Sequence, residues 1–180
     1  MGNLKEINRI LIFNRKVSKK NVGKLIKKIL KINEFDDLLE EKTKQKRVPI
    51  KLYIDTNGGN LYSGFSLLCI MKSSKTPIHT YVMGSAMSCG FLISICGHKR
   101  FCHKLSTFMW HNISTEVAGT VSSIDEDLTE VKRVGVEATK IIIEKTKITN
   151  KRLESLFKEK NNLFFNSTEA LKLGIVDEII

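Results

Sequence analysis

Apolar and polar positions along this chain switch repeatedly between a period near two and a period near 3.6, which predicts an α/β protein. Arg9 to Phe13 is a short β-like apolar run. Val22 to Ile32 then sets Val22, Leu25, Ile26, Ile29 and Leu30 on one helical face with lysines on the other. Glu34 to Arg47 is charge-dense and weakly periodic, predicted as a surface helix end and loop that Pro49 closes. Ile50 to Thr56 reads as a strand, Asn57 to Asn60 as a turn, Leu61 to Lys72 as a helix and, after Pro77, Ile78 to Met83 as a strand. These are β-α-β steps of the length such units need.

The small-residue stretch Gly84 to Gly90 follows that strand at once, and Phe91 to Ile95 continues as an apolar helix. Lys99 to Cys102 and Thr107 to Trp110 are predicted strands around a turn at His103 to Ser106. Ser122 to Thr146 is a long predicted helix with Ser122 as its N-cap and Ile124, Leu128, Val131, Ala138 and Ile142 as its apolar stripe. A further helix starts near Asn150. The tail holds a short helix opened by Ser or Thr before Glu169 and stopped by Gly174.

Length and composition narrow this to one globular domain. At 180 residues, two domains would be cramped, and 42% hydrophobic with 27% charged residues is a globular rather than a disordered balance. The formal charge of +11 invites a nucleic-acid reading, so its location matters. Residues 1 to 51 hold 15 basic and 6 acidic side chains, residues 52 to 111 hold 5 and 1, and residues 112 to 180 hold 10 and 12. The excess is amino-terminal, on a helix face that reads as solvated, with no aromatic interleaving; no nucleic-acid partner is expected. The start lacks the apolar stretch of a secretory signal and the Ser or Thr that a myristoylated Gly2 would want, and no run approaches a membrane span. A cytoplasmic protein without membrane association is the expectation. Cys69, Cys89, Cys96 and Cys102 form no CxxC pair and are expected to be reduced core thiols; with His98 and His103 nearby they still lack metal-site spacing.

Chemistry concentrates in two turns of small residues. In a parallel sheet, ligands bind at the carboxyl ends of strands, where such turns open helices with unpaired N–H groups. Gly58 and Gly59 permit positive φ and close approach of a substrate backbone, so that amides can face a developing oxyanion; the competing reading is an Asn-Gly hairpin turn. Ser88 sits at the first turn of a helix between Ala86 and Gly90, where a carbonyl could reach its hydroxyl, although most serines there are caps. His111 ends an apolar strand and precedes a polar loop, which makes it the candidate base over His79, His98 and His103.

Together, Ile54-Asp55-Thr56-Asn57-Gly58-Gly59, Gly84-Ser85-Ala86-Met87-Ser88-Cys89-Gly90, Phe108-Met109-Trp110-His111-Asn112 and Ser167 to Asp177 resemble, in order and spacing, the proteolytic subunit of the Clp protease (ClpP) over roughly Arg9 to Ile180. The resemblance implies a ClpP/crotonase-like fold of stacked β-α-β units, with the long helix as a protruding handle at about 112–150. It implies a serine endopeptidase acting on unfolded polypeptide through an acyl-Ser88 intermediate, with His111 as general base and the Gly59 and Cys89 amides as oxyanion hole. Heptameric rings stacked as a tetradecamer are implied too. No metal or organic cofactor belongs to the subunit, and ATP is used only by a partner Clp-type ATPase.

Three departures accompany the resemblance. Aligning the tail on Glu169-Ala170 and Gly174 puts Asn162 where the family usually has the third triad member, aspartate; a shifted register would put Asn161 there. An asparagine carbonyl can accept the histidine Nδ1–H bond but cannot stabilise the imidazolium, and replacing aspartate in a chymotrypsin-type triad costs ~10⁴ in rate, so weakened catalysis is expected. Only eight residues precede Arg9, where the family carries a first helix and axial-pore loops, so ATPase docking and gating are expected to differ; Glu34 to Arg47 looks like an insertion relative to the family. The alternatives are an inactive ClpP-like subunit of a mixed ring, a crotonase-type acyl-CoA enzyme, and a Ser-Lys signal-peptide peptidase, which would want a lysine base.

Overall fold

The computed structural model describes residues 7–159 and 162–180. Three successive β-α-β steps run β1 (Ile10–Phe13), α1 (Lys19–Thr43), β2 (Ile50–Thr56), α2 (Leu61–Ser73), β3 (Ile78–Met87), α3 (Cys89–Ile95) and β4 (Lys99–Cys102). Then follow β5 (Thr107–Trp110), α4 (Val121–Lys145), α5 (Asn150–Glu159), β6 (Leu163–Asn166), α6 (Ser167–Lys172) and β7 (Glu178–Ile179). The main sheet has the order β1-β2-β3-β4-β7, all parallel. This is the mixed α/β architecture of successive β-α-β units that the periodicity predicts.

Each element follows from its residues. In β2, Ile50, Leu52, Ile54 and Thr56 are buried while Lys51 and Asp55 are exposed, the period-two pattern of a strand with one covered face. On the other face Tyr53, Tyr81 and Phe101 stack as a row, with ring centroids 5.0 and 4.6 Å apart. α3 is short, but all seven of its residues are buried, which fixes it beneath the sheet.

β3 is longer than the predicted Ile78 to Met83, and its extension organises the site. Residues 78–82 lie between β2 and β4; beyond a register shift, residues 85–87 pair with β5 instead. The chain leaves β4 through a turn tied back to β3: the His103 N–H and the Ser106 hydroxyl both donate to the Val82 carbonyl, at 3.0 and 2.7 Å. Met87 is thus still strand, and the small-residue turn shrinks to Ser88 alone. β5 then pairs antiparallel with β6, Trp110 opposite Leu163.

The largest correction is to Glu34 to Arg47. α1 continues to Thr43 as one 25-residue helix, because the buried stripe Val22, Leu25, Ile29, Ile32 has its next helical position at Asp36. Asp36 is 2% exposed. The Arg9 guanidinium grips both its oxygens, and the Thr76 hydroxyl donates to it at 2.6 Å. Arg47 closes the cluster, donating to Thr76, Asp37 and Glu40. Leu30, expected on the buried face, is half exposed.

Other differences are local. Thr120, not Ser122, caps α4 by accepting from the Ser123 N–H, and Asn166, not Ser167 or Thr168, caps α6 in a capping box with Glu169. Gly174 ends that last turn at φ 65°. Only Val134, Ala138 and Ile142 of α4 are buried; in its first three turns Ile124 and Val131 are half-buried and Leu128 is exposed. Cys89 and Cys102 are buried thiols, but Cys69 is exposed because it sits off the covered face of α2. No helix among the described residues is long and apolar enough to cross a membrane.

Burial raises the Asp36 pKa, but hydrogen bonds from Arg9 and Thr76 and the charges of Arg9 and Arg47 outweigh it, leaving the carboxyl below its usual value. A depressed folded-state pKa contributes stability that is complete above the unfolded value of about 4 and is lost as pH falls through the folded one. Asp36→Ala, which removes the buried carboxylate that the Arg9 guanidinium grips, is expected to cost about 3 kcal/mol, roughly 6–12 °C in Tm at this chain length, and to flatten the loss of stability below about pH 4. Thermal melts from pH 3 to pH 7 check this; an unchanged midpoint or an unchanged acid limb contradicts it.

Candidate active site

Ser88 joins β3 to α3 with no loop between them. The turn is made by Ser88 itself at φ 54°, ψ −124°, a region that costs a non-glycine residue roughly 1–3 kcal/mol. Two bonds hold it there: its N–H donates to the Met109 carbonyl of β5 at 2.8 Å, and its carbonyl accepts from Phe91 N–H at 3.0 Å. Its side chain makes no capping bond, so the ordinary role of a serine at a helix start is not taken. The turn also requires space beside it. A Cβ on Gly58, itself at φ 94°, would stand 2.6 Å from the Met87 carbonyl oxygen and 2.8 Å from Ser88 Cβ.

The Gly58-Gly59 turn is not a hairpin: β2 and β3 run parallel, and α2 starts at Leu61, capped by Asn60, whose Oδ1 accepts from Ser63 N–H at 2.8 Å. Val17 bridges to the turn, its N–H donating to the Gly58 carbonyl and its carbonyl accepting from Asn60 N–H, both at 2.8 Å. In a parallel bridge the residue facing Val17 uses neither of its own groups, so the Gly59 N–H points away from Val17 and donates to nothing among the described residues. The Cys89 N–H, first in α3, is likewise unpartnered there. Burial pushes the Cys89 thiol up to about 12, so at neutral pH it is a packed, protonated side chain under Gly64 and presents only its amide.

These groups meet at one cleft of about 380 Å³, lined by Gly59, Ser88, Cys89 and His111, with Tyr62 and Ile113 among its apolar walls. His111 is half-buried where β5 ends. The other histidines are engaged elsewhere: His98 Nδ1 accepts from Ile78 N–H at 3.0 Å, His103 Nδ1 from Leu105 N–H at 3.3 Å, and His79 packs on Phe101. A serine hydroxyl, an imidazole and two free amides around one cleft are the parts of nucleophilic acyl transfer.

Asn162 is not among the lining residues. It is exposed, one residue before β6, and no hydrogen bond joins it to His111. The β5–β6 register, continued one step past Trp110 and Leu163, nevertheless sets it opposite His111. Asn161 lies outside the described residues. No carboxylate lines the cleft among the described residues, and no group of three metal-ligating side chains occurs among them.

Tyr62, Val134 and Trp110 are among the lining residues not anticipated as site residues. Tyr62 is brought in from α2 and held by Glu130 of α4, to which its hydroxyl donates at 2.8 Å. Val134 of α4 packs from behind. The Trp110 indole N–H is buried without a partner among the described residues, at a cost of about 1–3 kcal/mol. Nothing in the local spacing around Tyr62 signals this role, since its partner is 68 positions away.

Residues 4–180 match the Clp protease family. The chain is similar to ATP-dependent Clp protease proteolytic subunit 1 of Rhodopirellula baltica, 27% identical over all of this chain and 75% of the relative. It is similar to proteolytic subunit 2 of Treponema denticola, 24% identical over 95% of this chain and 81% of the relative. The proteolytic subunit of Deinococcus radiodurans is 29% identical over 73% of this chain and 64% of its own length.

Gly58→Ala is expected to displace the Ser88 turn, because the new methyl meets backbone and Ser88 Cβ rather than a flexible tip. The reaction of Ser88 with a fluorophosphonate should slow at least about tenfold, the equivalent of roughly 1.4 kcal/mol, with the fold retained by circular dichroism. An unchanged rate contradicts the dependence of Ser88 on Gly58.

Proposed function

The chain belongs to the Clp protease family, and on that premise we propose that it is a serine endopeptidase in which Ser88 is the nucleophile and His111 its general base. His111 takes the Ser88 Oγ proton as Oγ attacks the peptide carbonyl. The tetrahedral oxyanion accepts hydrogen bonds from the Gly59 and Cys89 N–H groups. His111 then returns the proton to the leaving amine, and water, activated by the same imidazole, releases the acyl group from Ser88. The observation that carries this reading is the strained Ser88 turn: a serine at positive φ whose side chain makes no capping bond yet opens onto a cleft with a histidine and two amides unpartnered among the described residues.

Asn162 stands as the third member, orienting His111 through its side-chain carbonyl when the strand pairing closes by one more residue. Without a carboxylate to stabilise the imidazolium, turnover is low. The substrates are unfolded polypeptides. The subunits assemble as heptameric rings paired into a tetradecamer, a reading supported by the uncovered apolar positions Val121 and Leu128 on the first half of α4, which a neighbouring subunit would bury. ATP is consumed only by a Clp-type ATPase partner, and the subunit itself takes no cofactor. The family match favours peptide hydrolysis over crotonase-type acyl-CoA chemistry.

One observation favours a second reading, a catalytically silent subunit of a mixed ring: Asn162 is solvent-exposed and unbonded to His111. One experiment separates the two. A fluorophosphonate probe should label the assembled wild type and not Ser88→Ala, and Asn162→Asp should raise turnover of a fluorogenic peptide at neutral pH by at least about tenfold. Labelling that persists in Ser88→Ala, or is absent from the wild type, overturns the peptidase reading. Unchanged or lower turnover in Asn162→Asp removes Asn162 from the third position.

A further inference from the structure

The Asn57 to Gly59 turn has a second side. Opposite the apolar wall of the cleft, a hollow of about 530 Å³ is lined by Arg15 and Lys16, by Asp55 and Ser85, and by Asn57 and Gly59, which it shares with the cleft. The backbone that presents the two cations is fixed. The Thr56 hydroxyl donates to the Arg15 carbonyl at 2.7 Å, Asn21 Nδ2 donates to the Lys16 carbonyl at 3.0 Å, and Val17 is bridged to the turn. The Lys16 stem runs along the turn itself, its Cγ 3.1 Å from where a Cβ on Gly59 would stand.

The side-chain charges are uncommitted. Among the described residues neither Arg15 nor Lys16 forms an ion pair or a side-chain hydrogen bond. Asp55, the one anion on this wall, is turned to β3, accepting from the Ser85 N–H and hydroxyl at 2.9 and 3.0 Å. No Asp, Glu, Lys or Arg lines the cleft among the described residues. An extended peptide crossing Ser88 therefore passes from an apolar wall to a cationic one across a single turn.

We infer that Arg15 and Lys16 form a cationic subsite that selects polypeptide segments carrying an Asp or Glu side chain within a few residues of the bond to be cut. The inference rests on the serine-peptidase reading and deepens it. The contact is solvent-exposed and screened by salt, so each cation contributes modestly, and the pair is expected to give a preference of about three- to tenfold.

The test uses fluorogenic peptides identical except for Glu or Gln, scanned over three positions on each side of the cleaved bond. Two readouts are taken: kcat/KM, and protection of Ser88 from a fluorophosphonate. The wild type is expected to favour Glu over Gln at one position or more at low salt, with the ratio shrinking in about 0.5 M NaCl, roughly threefold above physiological ionic strength. In the double variant Arg15→Gln, Lys16→Gln the ratio should fall to about one, and in Arg15→Glu, Lys16→Glu the preference should pass to a Lys-bearing peptide, as charge complementarity requires. Thermal midpoints and the probe reaction rate confirm that the variants fold. A wild-type ratio near one at every position, or a ratio that survives in the double Gln variant, overturns the subsite while leaving the peptidase reading intact. A wild type that never labels overturns both.

Discussion

The site depends on one backbone constraint, the positive φ of Ser88. A strand that ends in a helix with no intervening loop must reverse direction at a single residue, and that reversal lifts the serine side chain clear of the helix it opens. The local cost of roughly 1–3 kcal/mol is outweighed by what lies on either side. α3 is buried along its full length, and each of Phe91, Leu92, Ile93 and Ile95 gains about 1.5–3 kcal/mol by burial. The helix therefore cannot rotate to relax the serine without exposing that surface. Gly58 supplies the empty volume that the reversal needs, and the turn that holds Gly58 also leaves the Gly59 amide unpaired.

The same economy governs the sheet. β3 pairs with β4 for its first half and with β5 for its last three residues, so one strand carries the main sheet and then the platform that positions His111. The Met109 carbonyl that fixes Ser88 belongs to β5, two residues before His111, which couples the candidate nucleophile and base through one hydrogen bond. On the far side of the turn, Val17 ties the strand-to-α1 loop to Gly58 and Asn60, which is why Arg15 and Lys16 line the hollow behind that turn and not the cleft. At the other end of α1, Arg9, Asp36, Thr76 and Arg47 lock the helix to the edge of the sheet.

Much of this was legible in the residues, and what was not has physical causes. The β-α-β alternation, the Gly58-Gly59 turn and the positions of Ser88 and His111 follow from periodicity and from small residues where only small residues fit. The continuation of α1 was missed because its stripe passes from Ile32 to a carboxylate: an apolar pattern cannot report a buried charge whose partners, Arg9 and Thr76, are 27 and 40 positions away. The length of β3 was missed because Gly84 and Ser85 have weak strand preference and are held extended by Asp55 and β5. The caps moved by one or two residues, as Thr120 and Asn166 compete with adjacent hydroxyls for the same role. Asn162 was legible as a position but not as a contact, since alignment with a family tail fixes register and says nothing about whether the last pair closes.

The proposed chemistry turns on an acyl intermediate at Ser88, formed with His111 as base. It is tested most directly by incubating the protein with an acylating β-lactone, digesting it, and locating the mass increment by peptide mass spectrometry. The increment is expected on Ser88 alone, formed at least about a hundredfold more slowly in His111→Ala, in line with the rate that a positioned base contributes. An increment on Cys89 or elsewhere, or one on Ser88 that forms as fast without His111, would contradict it.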